Sequence, residues 1–299
     1  MKKVLITGIS GFLGSNTAKL FSEKDFEVFG VDICDYKFER PVKFYKTDIS
    51  SEKLKELNTE FDYIIHCAGG STVGQSINDP LCEFHKTVNT TAEVLEYMRK
   101  YNKNAKLIYP SSAAVYGNSY SDPIKESFEL NPISPYGFYK KMTEDLCDLY
   151  YKNFGVKSNI IRFFSIYGEE LKKQLLWDVC NKFYLQVGNI EFFGTGEEVR
   201  DWIYIQDAVE LIYKTALNAD DFGIINGGTG EGIKVKKIIK SVSEKLNNKL
   251  DFSFNNQMRE GDPKCFIANT EKQNSVGWKQ TYAIEQGIEN YVRWFKSQN

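Results

Sequence analysis

Histidine is almost missing from this chain: His66 and His85 are the two among 299 residues. The six cysteines, at positions 34, 67, 82, 147, 180 and 265, include no C-x-x-C pair. Two histidines without a cysteine cluster leave no ligand set for zinc, and scattered single thiols do not read as a disulfide framework. The shortage also weighs against a Ser-His-Asp hydrolase. His66 ends the run Ile64-Ile65-His66 and reads as a backbone-positioning residue rather than a base. There is no excess of one charge sign. The 38 Lys+Arg against 40 Asp+Glu give a net charge of −2, so no basic surface for nucleic acid is expected. No apolar run reaches the ~18 residues of a membrane-spanning helix. The sequence opens on strand-like Val4-Leu5-Ile6 without the pattern of a secretory leader. A cytoplasmic protein that binds neither nucleic acid nor membrane is the expectation.

What is present is regular. Apolar runs at 3–7, 27–32, 44–47, 63–67, 106–110 and 158–163 read as strands. Helical patterns at 16–23, 51–58, 80–101 and 135–153 separate them. Strands spaced by helices predict an α/β fold, a parallel sheet with helices on both faces. The second half is less even, with helical patterns at 171–185, 205–219, 235–246 and 284–295 and a short strand at 201–205. We therefore expect a Rossmann-type domain over 1–167, with segments near 200–230 returning to it. A smaller substrate-binding lobe is expected mainly over 168–299.

The strongest local signal is Thr7-Gly8-Ile9-Ser10-Gly11-Phe12-Leu13-Gly14, after the first strand and at the opening of a helix. Gly8 suits the tight turn, Gly11 lets backbone approach a pyrophosphate, and Gly14 lets helix pack close to sheet. The helix N-terminus supplies free N–H groups to negative charge. Asp32 ends the second strand, where a carboxylate can accept both hydroxyls of an adenosine ribose. It would repel a 2′-phosphate, which favours NAD over NADP, although Arg40 follows eight residues on. Asp48 either bonds the adenine amino group, with Ile49 against the ring, or caps the next helix.

A second signal, Tyr136-Gly137-Phe138-Tyr139-Lys140, starts a long helix behind Ser134 as cap and Pro135 at its first position. Residues four apart share a helix face. Lys140 is therefore expected to favour the Tyr136 phenolate, drawing its pKa from the usual value of about 10 toward neutrality and making it a general base for a sugar hydroxyl. Upstream lies Ser111-Ser112-Ala113-Ala114-Val115-Tyr116-Gly117. Either Ser111 or Ser112 could hold the oxygen that Tyr136 deprotonates.

Together these residues resemble the extended short-chain dehydrogenase/reductase family, in its nucleotide-sugar epimerase and dehydratase branch. The resemblance runs through Arg162–Gly168, Arg200-Asp201-Trp202, Asn226–Gly230 and Arg259–Pro263 to Gly277-Trp278. It implies that Gly8, Gly11, Phe12, Leu13 and Gly14 hold the NAD pyrophosphate, Asp32 the ribose, and Asp48 and Ile49 the adenine. Cys67, Ala68 and Gly69 would line the cofactor, with Asn89 near it. Tyr136 would be the catalytic tyrosine, Lys140 would bond the nicotinamide ribose, and Ser112 would be the catalytic serine. Ser111 would sit at the strand end beside the substrate. Arg200 would grip the substrate diphosphate, helped by Arg259, unless Arg200 merely pairs with Asp201.

Two departures from the family pattern narrow the chemistry. Ala113-Ala114 replaces the Asp-Glu pair of 4,6-dehydratases, and alanine has no proton to transfer. Ser165 stands where a diphosphate-binding Asn is usual. What the resemblance then implies is NAD-dependent oxidation at C4 of a nucleoside-diphosphate sugar through a 4-keto intermediate. A 4-epimerase leads; a 4-dehydrogenase, a 4-ketoreductase and a non-catalytic NAD-binding protein are the alternatives. Family members often dimerise through equivalent long helices. A homodimer is expected here, with Val88, Thr91, Leu95 and Met98 on one helix and Met142, Leu146 and Leu149 on the other as candidate contacts.

Overall fold

The computed structural model describes residues 1–36, 42–118, 123–185, 190–248, 250–257 and 265–298. Seven strands form one parallel sheet: β1 (Lys3–Thr7), β2 (Glu27–Asp32), β3 (Lys43–Lys46), β4 (Tyr63–His66), β5 (Lys106–Ser112), β6 (Ser158–Phe163) and, from much later in the chain, a strand at Phe222–Gly227. Their order places β1 beside both β2 and β4. The chain thus builds outward from β1 in one direction, then returns and builds outward from β4 in the other. A ligand crevice belongs at that reversal, beyond the strand C-termini.

The inner strands are buried on both faces, as their unbroken apolar runs imply. One face packs Val4, Ile6, Ile65, Ile108 and Ile161 against α1 (Phe12–Glu23) and a helix at Ile205–Asn218. The other packs Leu5, Ile64, Leu107 and Ile160 against the helices of the first half. These are α2 (Ser51–Glu56), α5 (Thr90–Tyr101) and α6 (Pro135–Phe154), while α3 (Val73–Asn78) and α4 (Pro80–Phe84) lie against α6. α6 runs as its ends dictate. The Ser134 side chain accepts the Gly137 N–H, Pro135 sits in the first turn, and Gly155 closes the helix in the left-handed region at φ 70°.

Three expectations change. The stretch 80–101 is not one helix, because a π-helical turn, His85–Asn89, separates α4 from α5 and re-aims the residues on either side. β5 extends through Ser112, so both serines stand on the strand rather than after it. Of the late segments expected to return to the main sheet, Phe222–Gly227 does so. The segment around Asp201 does not.

That segment is part of a second sheet. β7 (Ser165–Tyr167) and β9 (Val199–Tyr204) pair in parallel, and β9 also pairs with β11 (Gly232–Lys234) and β13 (Cys265–Phe266); β8 (Ile190–Phe192) pairs with β12 (Phe252–Phe254), and Phe222–Gly227 is β10. Helices α7 (Gln174–Leu185), α8 (Ile205–Asn218), α9 (Val235–Lys245), α10 (Glu271–Ser275) and α11 (Ile284–Ser297) complete the chain. Leu176, Phe183, Ile239, Tyr291 and Phe295 form the core of this lobe.

Candidate functional site

The reversal between β1 and β4 is where the glycine turn lies. Gly8 adopts φ +67°, and a Cβ on it would sit 2.6 Å from the Ala68 nitrogen. A Cβ on Gly14 would meet the Gly8 carbonyl oxygen at 2.2 Å. The turn can exist only without those side chains. Gly11 caps α1 with no side-chain hydrogen bond, so the N–H groups of Phe12 and Leu13, which no carbonyl of the helix can reach, remain directed out of its end. Asp32 is fixed beside them. Its Oδ2 accepts the Ser10 N–H and its Oδ1 the Cys34 N–H, both at 2.9 Å. A bare helix end next to an oriented carboxylate fits the pyrophosphate and ribose of NAD.

Asp48 does not cap α2; Ser50 does, accepting the Lys53 N–H at 3.3 Å. The Asp48 side chain is exposed and paired with the Lys53 ammonium, which holds its carboxyl below the usual range. Ile49 packs on the core behind it. Arg40 and Arg259 lie outside the described residues.

His66 is buried with both ring nitrogens engaged, Nδ1 with Thr7 Oγ1 at 2.7 Å and Nε2 with Thr91 Oγ1 at 3.1 Å. Burial, with the Lys140 charge in the same sense, pushes it down to about 3. It is a neutral spacer between β1 and α5 and not a base. Cys67, half-buried, is pushed up to about 12 by burial. Gly69 lies against Thr87, whose Oγ1 would stand 3.4 Å from a Cβ there. Asn89 is exposed, with Nδ2 2.6 Å from His85 Nδ1, whereas Thr87 is buried against the Gly69-Gly70 segment that follows β4.

Ser112 lies near enough to the Tyr136 hydroxyl to pull the phenol's ionisation downward. Ser111, its neighbour on the strand, faces the other way and donates to Glu144 Oε1 at 2.5 Å. The strand's alternation separates the two serines: Ser112 belongs to the Tyr136 side, and Ser111 to a buried network rather than to a substrate. Lys140 Nζ lies 5.9 Å from the centre of the Tyr136 ring and 4.7 Å from that of Tyr109, and donates to the Pro110 carbonyl at 3.0 Å. Gly137 makes this approach possible, since a Cβ there would meet the Ala114 carbonyl oxygen at 2.6 Å.

The expected drop of Tyr136 toward neutrality does not occur. Burial pushes it up to about 12, against the pull of the neighbouring Ser112 hydroxyl. The ammonium is itself driven down to about 8 by burial, and its hydrogen bond goes to Pro110, not to the phenol.

Behind the pair lies a second layer. Glu144 is one turn beyond Lys140 and takes a forked contact from Arg162, with Nη2 to Oε2 at 2.7 Å and Nε to both oxygens at 3.1 Å. Arg162 Nη1 donates to the Tyr116 hydroxyl at 2.9 Å, which donates to Asn226 Oδ1 at 2.7 Å. This network ties α6 to β5, β6 and β10.

On the second sheet, Ser165 is in register with Trp202. Alternation along β9 puts Arg200 on the Trp202 face and Asp201 on the other. Asp201 does not pair with Arg200. It is fully buried and accepts from Thr229 N and Oγ1, Gly230 N and Ala268 N at 2.7–3.1 Å. Arg200 therefore leaves the strand on the face that Ser165 shares, and its Nη1 donates to the Val199 carbonyl at 3.0 Å.

Three residues near Tyr136 were not singled out from the sequence. Ser76 accepts the Tyr136 N–H at 3.0 Å. Thr87 accepts the Gly70 N–H at 3.0 Å and donates to Glu83 at 2.9 Å. Glu83, on α4, is 4% exposed. The Gly69-Gly70 pair was the available signal, because a Cβ on Gly70 would lie 1.8 Å from the Glu83 carboxylate oxygens.

Residues 4–228 match the NAD dependent epimerase/dehydratase family. The chain belongs to that family. A putative UDP-glucose 4-epimerase of Methanocaldococcus jannaschii is 28% identical over 99% of both chains. The crystal structure of the Thermotoga maritima UDP-glucose 4-epimerase with UDP-glucose superposes with a TM-score of 0.91 at 26% identity, covering 99% of each chain. The UDP-glucuronic acid 4-epimerase of Bacillus cereus, crystallised with UDP-glucuronic acid and NAD, has the same fold. Its TM-score is 0.88 at 24% identity, over 99% of this chain and 100% of that one. The family assignment and the glycine turn agree on NAD as the cofactor.

Proposed function

We propose that this protein is a nucleotide-sugar 4-epimerase acting on a UDP-sugar through a 4-keto intermediate. The observation that carries the reading is the Lys140 ammonium 5.9 Å from the centre of the Tyr136 ring, with Ser112 at the end of β5 beside the same phenol. The UDP-sugars in the related crystal structures support uridine as the base. Gly8, Gly11, Phe12, Leu13, Gly14 and Asp32 would hold NAD at its adenosine end, with Asp48 and Ile49 beside the adenine. Cys67, Ala68, Gly69 and Lys140 would serve its other end. When bound, NAD supplies the two-electron oxidant and a cationic ring that makes ionisation of Tyr136 easier.

Tyr136 takes the proton from the C4 hydroxyl, and Ser112 holds the same oxygen through the change from alcohol to ketone. Lys140 keeps positive charge beside the phenolate. After the 4-keto sugar turns over in the site, Tyr136 returns its proton to the oxygen of the opposite epimer. Ser165 and Arg200 offer a hydroxyl and a guanidinium to the diphosphate, the latter suited to paired phosphate oxygens. We assign the substrate lobe to 168–299 without β10, and the NAD domain to 1–167.

The test is incubation with NAD and each of UDP-glucose, UDP-galactose, UDP-N-acetylglucosamine and UDP-glucuronic acid, followed by proton NMR and mass spectrometry. A C4 epimer of unchanged mass is expected. Loss of two hydrogens with accumulating NADH would replace the reading by a dehydrogenase. The variant Tyr136→Phe is expected to lose turnover by about 10²–10⁴-fold while still binding NAD, and undiminished turnover would remove Tyr136 from the mechanism.

We also infer a homodimer, but through one helix face and not two. Val88, Thr91, Leu95 and Met98 are buried inside the chain. Phe138, Met142 and Leu149 on α6 are 52%, 42% and 48% exposed. That stripe, four and seven residues apart, suits the equivalent helix of a second copy.

A further inference from the structure

We propose that Glu83 is the charge partner of the Tyr136–Lys140 pair, a positioning residue that keeps Lys140 an ammonium in a dry site and sets how readily Tyr136 ionises. The proposal rests on the reading of Tyr136 as the base.

Its placement is built. Asp79 caps the short helix α4 by accepting the Cys82 N–H at 3.0 Å, which fixes Glu83 one turn on. Thr87 Oγ1, receiving the Gly70 N–H, donates its own proton to Glu83 Oε1. The carboxylate lies flat on Gly70, in space that any side chain there would fill. α4 and α6 are in contact, with the Phe84 and Tyr139 rings meeting edge to face at 5.5 Å. The preceding helix is tied to the same point by the Tyr136 N–H to Ser76 bond. Among the described residues Glu83 forms no salt bridge, and its one hydrogen bond uses Oε1. A carboxylate 4% exposed and without a bonded cation is costly unless positive charge faces it at longer range.

The groups facing Lys140 leave Glu83 as that longer-range partner. Tyr109 on β5 and Tyr136 on α6 present ring faces. His66 on β4 is neutral, and Cys67 after it stays a thiol at about 12. Glu144 on α6 is already held by Arg162. Burial lowers Lys140, and Glu83 is the foremost group opposing it. The same negative charge acts on Tyr136 in the sense that keeps the phenol protonated. Glu83 therefore moves both midpoints upward. It preserves the cation and makes the base harder to form.

A neutral replacement must then slide the whole activity window to lower pH without closing it. Removing the carboxylate lowers the midpoint for forming the Tyr136 phenolate, so the acid limb moves down. It also lowers the midpoint for losing the Lys140 proton, so the alkaline limb moves down. A residue that only packed α4 would reduce the height of the profile and leave both limbs in place.

The experiment compares wild type with Glu83→Gln and Glu83→Ser, two neutral side chains of different size, in NAD-loaded protein carrying ¹³C at the tyrosine ring carbon bonded to oxygen. The Tyr136 resonance is assigned by its disappearance in Tyr136→Phe. Its midpoint is expected to fall by about one unit in both variants, the scale of one charge at a buried site, and the limbs of kcat/KM for the UDP-sugar should fall with it. An unmoved Tyr136 midpoint in whichever of the two variants folds overturns the proposal. Retained turnover in Tyr136→Phe would instead overturn the base assignment, a result the NMR titration separates from the first.

Discussion

The buried carboxylate behind Lys140 offers the sharpest test of how this site is held. Glu144 and Arg162 side chains are each 3% exposed. Glu144 receives the two forked guanidinium contacts and the Ser111 hydroxyl at 2.5 Å. Glu144→Gln keeps the volume but removes the charge and turns one acceptor oxygen into a donor NH₂. Wherever that group lies it faces an N–H of Arg162, which is a donor too, since both carboxylate oxygens accept from the guanidinium. The guanidinium is left buried without its counter-charge, a change that costs ~3–5 kcal/mol against a total stability of ~5–15 kcal/mol. The thermal midpoint should fall by on the order of 10 °C. The urea midpoint should fall at constant slope, showing that stability and not the unfolded chain has changed. The double variant Glu144→Leu with Arg162→Met removes both charges and should regain most of the loss. If Glu144→Gln costs under about 1 kcal/mol, or if the double variant is worse than the single one, the pair does not hold this part of the fold as argued.

Two further predictions concern other parts of the molecule. Gly14→Ala forces a methyl group onto the Gly8 and Ile9 backbone, at 2.2 Å and 2.9 Å. It should cost ~1–3 kcal/mol as overpacking and weaken NAD at least about tenfold by calorimetry, and unchanged NAD affinity would mean that α1 does not hold the pyrophosphate. Met142→Glu with Leu149→Glu places two charges on the exposed α6 stripe and should give a 34.4 kDa species in sedimentation. Persistence of a larger species would move the interface elsewhere.

Much of this was readable along the chain because the governing interactions are local. The glycine turn needs a strand, three small residues and a helix start within twelve positions. Tyr136 and Lys140 share a face through helix geometry alone, and Ser134 and Pro135 open that helix by capping rules. The second, smaller sheet was less legible, since β7, β11 and β13 are each two or three residues long. Strands that short carry little alternation, and partners far along the chain create them.

Tertiary structure decided what spacing could not. It chose between Ser111 and Ser112, because alternation on β5 acquires meaning only when Glu144 and Arg162 claim one side. It turned Thr87 inward against Gly69-Gly70 and left Asn89 exposed, because a π turn changes which residues face inward without altering the apolar pattern. It reversed the expectation for Tyr136, because sequence places a lysine nearby but does not report how much burial opposes both charges. It also brought Glu83 to the pair from a different helix. Sequence determined the glycine turn and the helix that carries the Tyr136–Lys140 pair; burial and long-range packing determined the charge balance around that pair.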